Sequence, residues 1–176
     1  MLIIWTYKKQ HHQSQHIKKI SSHVKSKVIP IIEENLRANT SIKVKVLNYQ
    51  CKLSFYLKKK ANITISDYIE RLIRYTRCEE ASLITSLIYI DRICEETPLV
   101  LTEHNIYRVV LASLITAIKY NEDEIYSNNF YAKVGGIPRE ELDRIEYEFL
   151  KLINYSLYVN TDTFQKYKVY IKQYRG

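Results

Sequence analysis

Few residues in this chain are of a type and spacing that could do chemistry. His12 and His16 stand four apart, the separation that sets two imidazoles on one helical face as a metal site needs, with His11 beside them. No carboxylate or thiolate nearby supplies a third ligand, so no metal is expected. Glu122, Asp123 and Glu124 bring three carboxylates together, but within a polar connection, where a solvated turn accounts for them better than a catalytic dyad. Cys51, Cys78 and Cys94 are odd in number, widely spaced and without paired metal-ligand spacing. They read as reduced thiols of an intracellular protein. Three glycines are too few for phosphate-cradling loops. No catalytic residue and no cofactor is expected.

Two charges stand where charges are costly. Glu146 lies inside an apolar stripe formed at helical spacing by Leu142, Ile145, Phe149 and Leu150. Lys119 closes another apolar segment, one turn beyond Ile115 and beside Ile118. A charge on an apolar face must be paired or kept near water. Either Lys119 snorkels and Glu146 sits at the edge of its stripe, or the two stand side by side on a surface that meets a partner.

Helices must position these groups. Residues 28–39 form a short amphipathic segment with Pro30 near its start. Residues 41–60 are ambiguous, because Ile42, Val44 and Val46 alternate with lysines as in a strand. From residue 63 the helical period is clear. Ile65, Tyr68, Ile69, Leu72 and Ile73 share one face, with Thr64 or Ser66 as cap. A second helix spans about 79–96 and stops at Thr97-Pro98. A third, capped by Thr102 with Glu103 against its dipole, is apolar almost all round from Ile106 to Ile118 and must be central. Ala112, Ser113, Thr116 and Ala117 let its neighbours approach. A short helix near 129–134 ends at Gly135-Gly136. Another follows Pro138, and a last one from Thr161 carries Phe164, Tyr167, Ile171 and Tyr174.

The chain has 176 residues, of which 46% are apolar, enough for one domain with a real core. Its net charge of +8 is unevenly placed. Residues 1–60 carry 13 Lys and Arg against Glu33 and Glu34, a balance of +11, whereas residues 61–176 balance at −3. The basic character therefore belongs to the N-terminal third, and residues 1–27 read as a poorly ordered arm. Met1–Tyr7 is too short for a secretory segment, and no run approaches the roughly 20 apolar residues that span a bilayer.

Several strings carry a family resemblance. Tyr68-Ile-Glu-Arg-Leu-Ile-Arg-Tyr-Thr-Arg-Cys78, Tyr89-Ile-Asp-Arg-Ile93, Asn105-Ile-Tyr-Arg-Val109 and Ala117-Ile-Lys-Tyr120 resemble the first three helices of a cyclin box. Asn128-Asn-Phe-Tyr-Ala-Lys-Val-Gly-Gly136 and Glu141-Leu-Asp-Arg-Ile-Glu-Tyr-Glu-Phe-Leu150 resemble the P/U-type, phosphate-signalling branch in particular. The resemblance implies an all-α fold: a single five-helix cyclin box at 63–157, an N-terminal extension at 28–62 with an additional helix, and a C-terminal helix within 158–176. It leaves no room for a second box. It also implies a non-catalytic regulatory subunit that binds and activates a cyclin-dependent protein kinase, in the nucleus or cytoplasm, with roles in the cell cycle, cell division or phosphate signalling. Cyclins place a Lys and a Glu against the kinase C-helix, and these align with Lys119 and Glu146. Tyr120, Leu150, Tyr155 and Leu157 align with apolar kinase contacts, whereas Tyr75, Tyr89 and Phe130 align with the core. The substrate-docking string of cell-cycle cyclins is replaced by Lys60-Ala-Asn-Ile-Thr64, which puts that docking function in doubt.

One rival is a nucleic-acid-binding or transcription-factor module on a cyclin-like fold. Lys8, Lys9, Lys18, Lys19, Lys25 and Lys27, with Trp5 and Tyr7, would form its basic arm. Such a module would normally have two boxes and a basic body. The expected partner is therefore a kinase, with neither a membrane nor nucleic acid.

Overall fold

The computed structural model describes residues 22–38, 53–58 and 61–173. The alternation at Ile42, Val44 and Val46, the three N-terminal histidines, Cys51, Tyr174 and the arm up to residue 21 lie outside the described residues. Among those described there are seven helices and no strand: α1 (Ser22–Ala38), α2 (Ile65–Thr76), α3 (Glu80–Glu96), α4 (Ile106–Asn121), α5 (Asn128–Gly135), α6 (Arg139–Leu152) and α7 (Thr161–Gln173). None of these helices is long and apolar enough to cross a membrane.

The central place of α4 follows from its sequence. Every residue from Val109 to Ile118 is buried. The helix packs against α3, α6 and α2. Its small residues allow close approach elsewhere as well. A Cβ on Gly135 would collide with the Leu111 side chain, so glycine is what lets α5 reach α4. Gly136, at φ 71°, ends α5 in the left-handed conformation. The Gly136 N–H then donates to the Lys133 carbonyl and the Ile137 N–H to the Ala132 carbonyl at 3.1 Å, which satisfies two otherwise unpaired carbonyls.

Local signals elsewhere met tertiary constraints. Thr64 caps α2 by accepting from the Asp67 N–H, while Ser66 instead donates to Glu33 of α1 at 2.5 Å. The start of α4 differs from the expected Thr102 cap, because Asn105 is the N-cap residue. Its side chain accepts from the Thr102 N–H and donates to the Val100 carbonyl, both at 2.8 Å, and so closes the turn before the helix. Thr102 sits inside that turn: its carbonyl accepts from the Asn105 and Ile106 N–H groups, and its hydroxyl accepts from the His104 N–H at 3.3 Å. Helix α1 starts at Ser22, ahead of the expected residue 28, and holds Pro30 in its interior. Proline disfavours that position, yet Val28, Ile29 and Ile32 are buried where α1 packs on α2 and α7. Burial outweighs the missing hydrogen bond. Tyr75 was aligned with the core but is more than half exposed. It lies in the last turn of α2, on the side away from the buried Leu72, Ile73 and Thr76.

Residues 53–58 bind across the box. Phe55 is fully buried and meets Phe149 of α6 edge-on, with centroids 6.4 Å apart. The Ser54 N–H donates to Glu148, and the Leu57 N–H donates to the His104 carbonyl at 2.6 Å. His104 Nδ1 lies 2.8 Å from the Leu57 carbonyl, an arrangement that requires its proton on Nδ1. Cys78 is buried, and burial pushes the Cys94 thiol up to about 12.

Candidate functional site

The structure brings Lys119 and Glu146 together. Lys119 ends α4 in its last turn, where a cation suits the helix dipole. Glu146 projects from the flank of α6, beside the fully buried Leu142, Ile145 and Phe149. Their side chains form an ion pair at 2.5 Å, with relative exposures of 28% and 13%. Neither charge is alone on its apolar face. Glu146 uses its second oxygen to accept from Asn128 Nδ2 at 3.1 Å. The same amide donates to Asp143 at 2.7 Å, and Asp143 pairs with Arg139 four residues earlier at 3.3 Å. Asn128 opens α5, which Ser127 caps by accepting from the Phe130 N–H. The ends of α4 and α5 and the flank of α6 thus share one polar seam.

That seam has a second ion pair as its counterpart. Arg108 near the start of α4 pairs with Glu141 near the start of α6, and both are largely buried. The difference lies in what surrounds each pair. Around Lys119 and Glu146 large apolar groups face outward. Tyr120, next to Lys119, is half exposed, and so is Tyr147, next to Glu146. Ile125 and Tyr126, in the connection that leads to Asn128, are also exposed. Leu150, one turn past Glu146, is half-buried, as is Leu157, while Tyr155 is 59% exposed. Lys151 lies over the Tyr147 ring at 4.3 Å.

Tyr155 owes its position to an unusual turn. After α6 the chain passes through Asn154 and Tyr155 at φ 52° and 53°, two successive non-glycine residues in the left-handed region. Each such residue costs about 1–3 kcal/mol and persists only where its surroundings over-determine it. Here the Tyr155 N–H donates to the Leu150 carbonyl at 2.9 Å, tying the turn back to α6.

Of the residues aligned with kinase contacts, Lys119 and Glu146 touch, Tyr120 and Leu150 flank them, and Tyr155 and Leu157 lie in the turn that follows. Tyr89 and Phe130 are buried and half-buried respectively, as the alignment implied, but Tyr75 is not. Sequence reading missed Asn128 and Tyr147 as members of this face. Asn128 stood within a quoted string, but its bond to Glu146 spans 18 residues and leaves no periodic trace. No three His, Cys, Asp or Glu residues cluster as metal ligands among the described residues.

Comparison with known proteins agrees with the fold. The family model described as Cyclin matches residues 3–157. Cyclin-U2-1 of Arabidopsis thaliana is 31% identical over 144 residues, covering 81% of this chain and 65% of the relative. Cyclin-U4-3 of the same plant is 36% identical over 121 residues, covering 68% and 55%. Cyclin-P3-1 of Oryza sativa subsp. japonica is 30% identical over 113 residues, covering 64% and 48%. The chain thus spans about half to two-thirds of the length of these relatives. Its all-helical architecture, its quoted strings and a family match across most of its length agree: the chain belongs to the cyclin family, among relatives of the U and P types.

Proposed function

We propose that this chain is the regulatory subunit of a cyclin-dependent protein kinase, and that the face around Lys119 and Glu146 holds the kinase C-helix in its active position. The observation that carries this reading is the partly exposed Lys119–Glu146 pair, with the exposed Tyr120 and Tyr147 next to its two members in the chain. In an inactive kinase the C-helix glutamate is swung away from the lysine that binds ATP phosphates. A subunit that binds the active placement better shifts the population toward it. Moving a kinase from about 1% to about 99% active needs roughly a 10⁴-fold preference for the active state. Lys119 and Glu146 would supply charge-assisted hydrogen bonds at the end of the C-helix. Only one of the three ammonium donors is used by Glu146, so the pair can bind outward without breaking. Tyr120, Leu150, Tyr155 and Leu157 would supply the apolar area, as aromatic residues commonly do at interface cores. We assign this role to a box at 63–157, with 28–62 as an N-terminal extension and 158–176 as a C-terminal segment.

The pure chain is expected to transfer no phosphate and to raise the turnover of a partner cyclin-dependent kinase by orders of magnitude. Phosphotransfer by the chain without kinase, or no stimulation of any kinase in a broad panel, would sink this reading.

A further inference from the structure

Three carbonyls in a row leave the turn after α6 without helical partners, and one short stretch of α3 binds all three. Arg92 Nη1 donates to the Ser156 carbonyl, and the Tyr89 hydroxyl donates to the Leu157 carbonyl at 2.7 Å. Arg92 Nη2 lies 3.4 Å from the Tyr158 carbonyl, and Nη1 lies 3.4 Å from the Ser156 hydroxyl. Tyr89 is fully buried, and the Arg92 guanidinium sits 5.9 Å from its ring centroid. Between these two residues, Asp91 accepts the Tyr167 hydroxyl of α7 at 2.6 Å. One turn of α3 therefore fixes the link between α6 and α7 along its backbone and also docks the helix that follows it.

We infer that the Tyr89-Ile-Asp-Arg92 string is a clasp that holds the 153–158 turn in its left-handed shape and so presents Tyr155 and Leu157 to the kinase, with Arg92 as the positioning residue. This inference rests on the kinase reading above. Two successive left-handed residues without glycine do not persist unaided. The bonds inside the turn run from the Asn154 N–H to the Lys151 carbonyl, from Tyr155 to Leu150, from Ser156 to Ile153 and from Leu157 to Tyr155. They tie the turn's start to α6 but leave the carbonyls of 156–158 to α3. A planar guanidinium can reach two acceptors two residues apart; an ammonium, as a single point charge, cannot hold both in register. Tyr155 itself is 59% exposed, so its ring has little packing to orient it other than the backbone that carries it.

The clasp is tested by comparing wild type with Arg92→Lys, Arg92→Ala, Tyr155→Ala and the Arg92→Ala/Tyr155→Ala double variant. The probe is a recombinant cyclin-dependent kinase that the wild-type chain activates. Arg92→Lys keeps the charge and the stem, and is expected to weaken kinase binding at least about tenfold, a difference calorimetry resolves readily. Its melting temperature should stay close to wild type, and amide exchange at Ser156, Leu157 and Tyr158 in the free chain should quicken. Tyr155→Ala should weaken binding far less in the Arg92→Ala background than in wild type, because the ring there is already misplaced. Arg92→Lys binding within twofold of wild type, or an equal Tyr155→Ala loss in both backgrounds, would overturn the clasp and leave the kinase reading standing. A wild-type chain that binds no cyclin-dependent kinase would overturn both.

Discussion

Replacing Glu146 by alanine is expected to weaken kinase binding by roughly 2–5 kcal/mol, the usual cost of truncating one member of a buried charged contact, while the free chain stays folded. The second half of that expectation comes from exposure. Lys119 is 28% exposed and can turn to water when its partner goes. Asn128 keeps its bond to Asp143. Because the charge left behind can reach water, the folding cost stays near the roughly 0–1 kcal/mol of exposed pairs and below that of stranding a buried charge. Lys119→Ala should behave alike, with a somewhat larger folding cost because Glu146, the less exposed partner, would keep only Asn128. The double variant should lose less than the sum of the two if both groups act on one kinase element. Calorimetry against the kinase and thermal unfolding of each free variant supply the measurements. Unchanged affinity with a large fall in melting temperature would mean that the pair is internal, like Arg108–Glu141, and has no role in binding.

Phe149→Ala should do the reverse. Phe149 lies on the same helix, within one turn of Glu146, yet is fully buried and meets Phe55 edge-on. Its removal leaves a cavity beneath α6 and takes away the ring that anchors residues 53–58. The expected loss of folding stability is about 3–5 kcal/mol, or roughly 6–20 °C in melting temperature for a domain of this size. Urea unfolding provides the check. A loss under about 1 kcal/mol would mean that the contact between the 53–58 segment and the box is not the close packing described here. Two residues within one turn of one helix would then fail to separate core from interface as they should.

Why some of this was legible in sequence and some was not has physical reasons. Helices α2 to α7 bury regular stripes, and a stripe leaves a period in the sequence. The place of α4 was readable because a helix apolar on all sides has nowhere else to go. Lys119 and Glu146 were conspicuous because charge on an apolar face is rare. Their standing side by side was one of two readings the sequence left open, since 27 residues, with all of α5 among them, separate the two. The contacts of Asn128 with Glu146 and of Arg92 with Ser156 were not legible: single polar bonds between distant segments impose no periodicity. Thr102 looked like a cap because threonine often is one, but Asn105 is placed to bond in both directions and takes the position. Pro30 looked like a helix start because a first-turn proline loses nothing. What the sequence could not weigh was the burial of Val28, Ile29 and Ile32 against two other helices.

The most direct test of the central claim is amide exchange of the chain, free and in complex with a cyclin-dependent kinase, mapped residue by residue. Kinase-dependent protection is expected at 119–121, at 146–151 and in the turn at 154–158, with little change along α1 or on the exposed face of α7. Protection that spares all three of those segments and falls elsewhere would contradict it, whatever the complex then did to kinase activity.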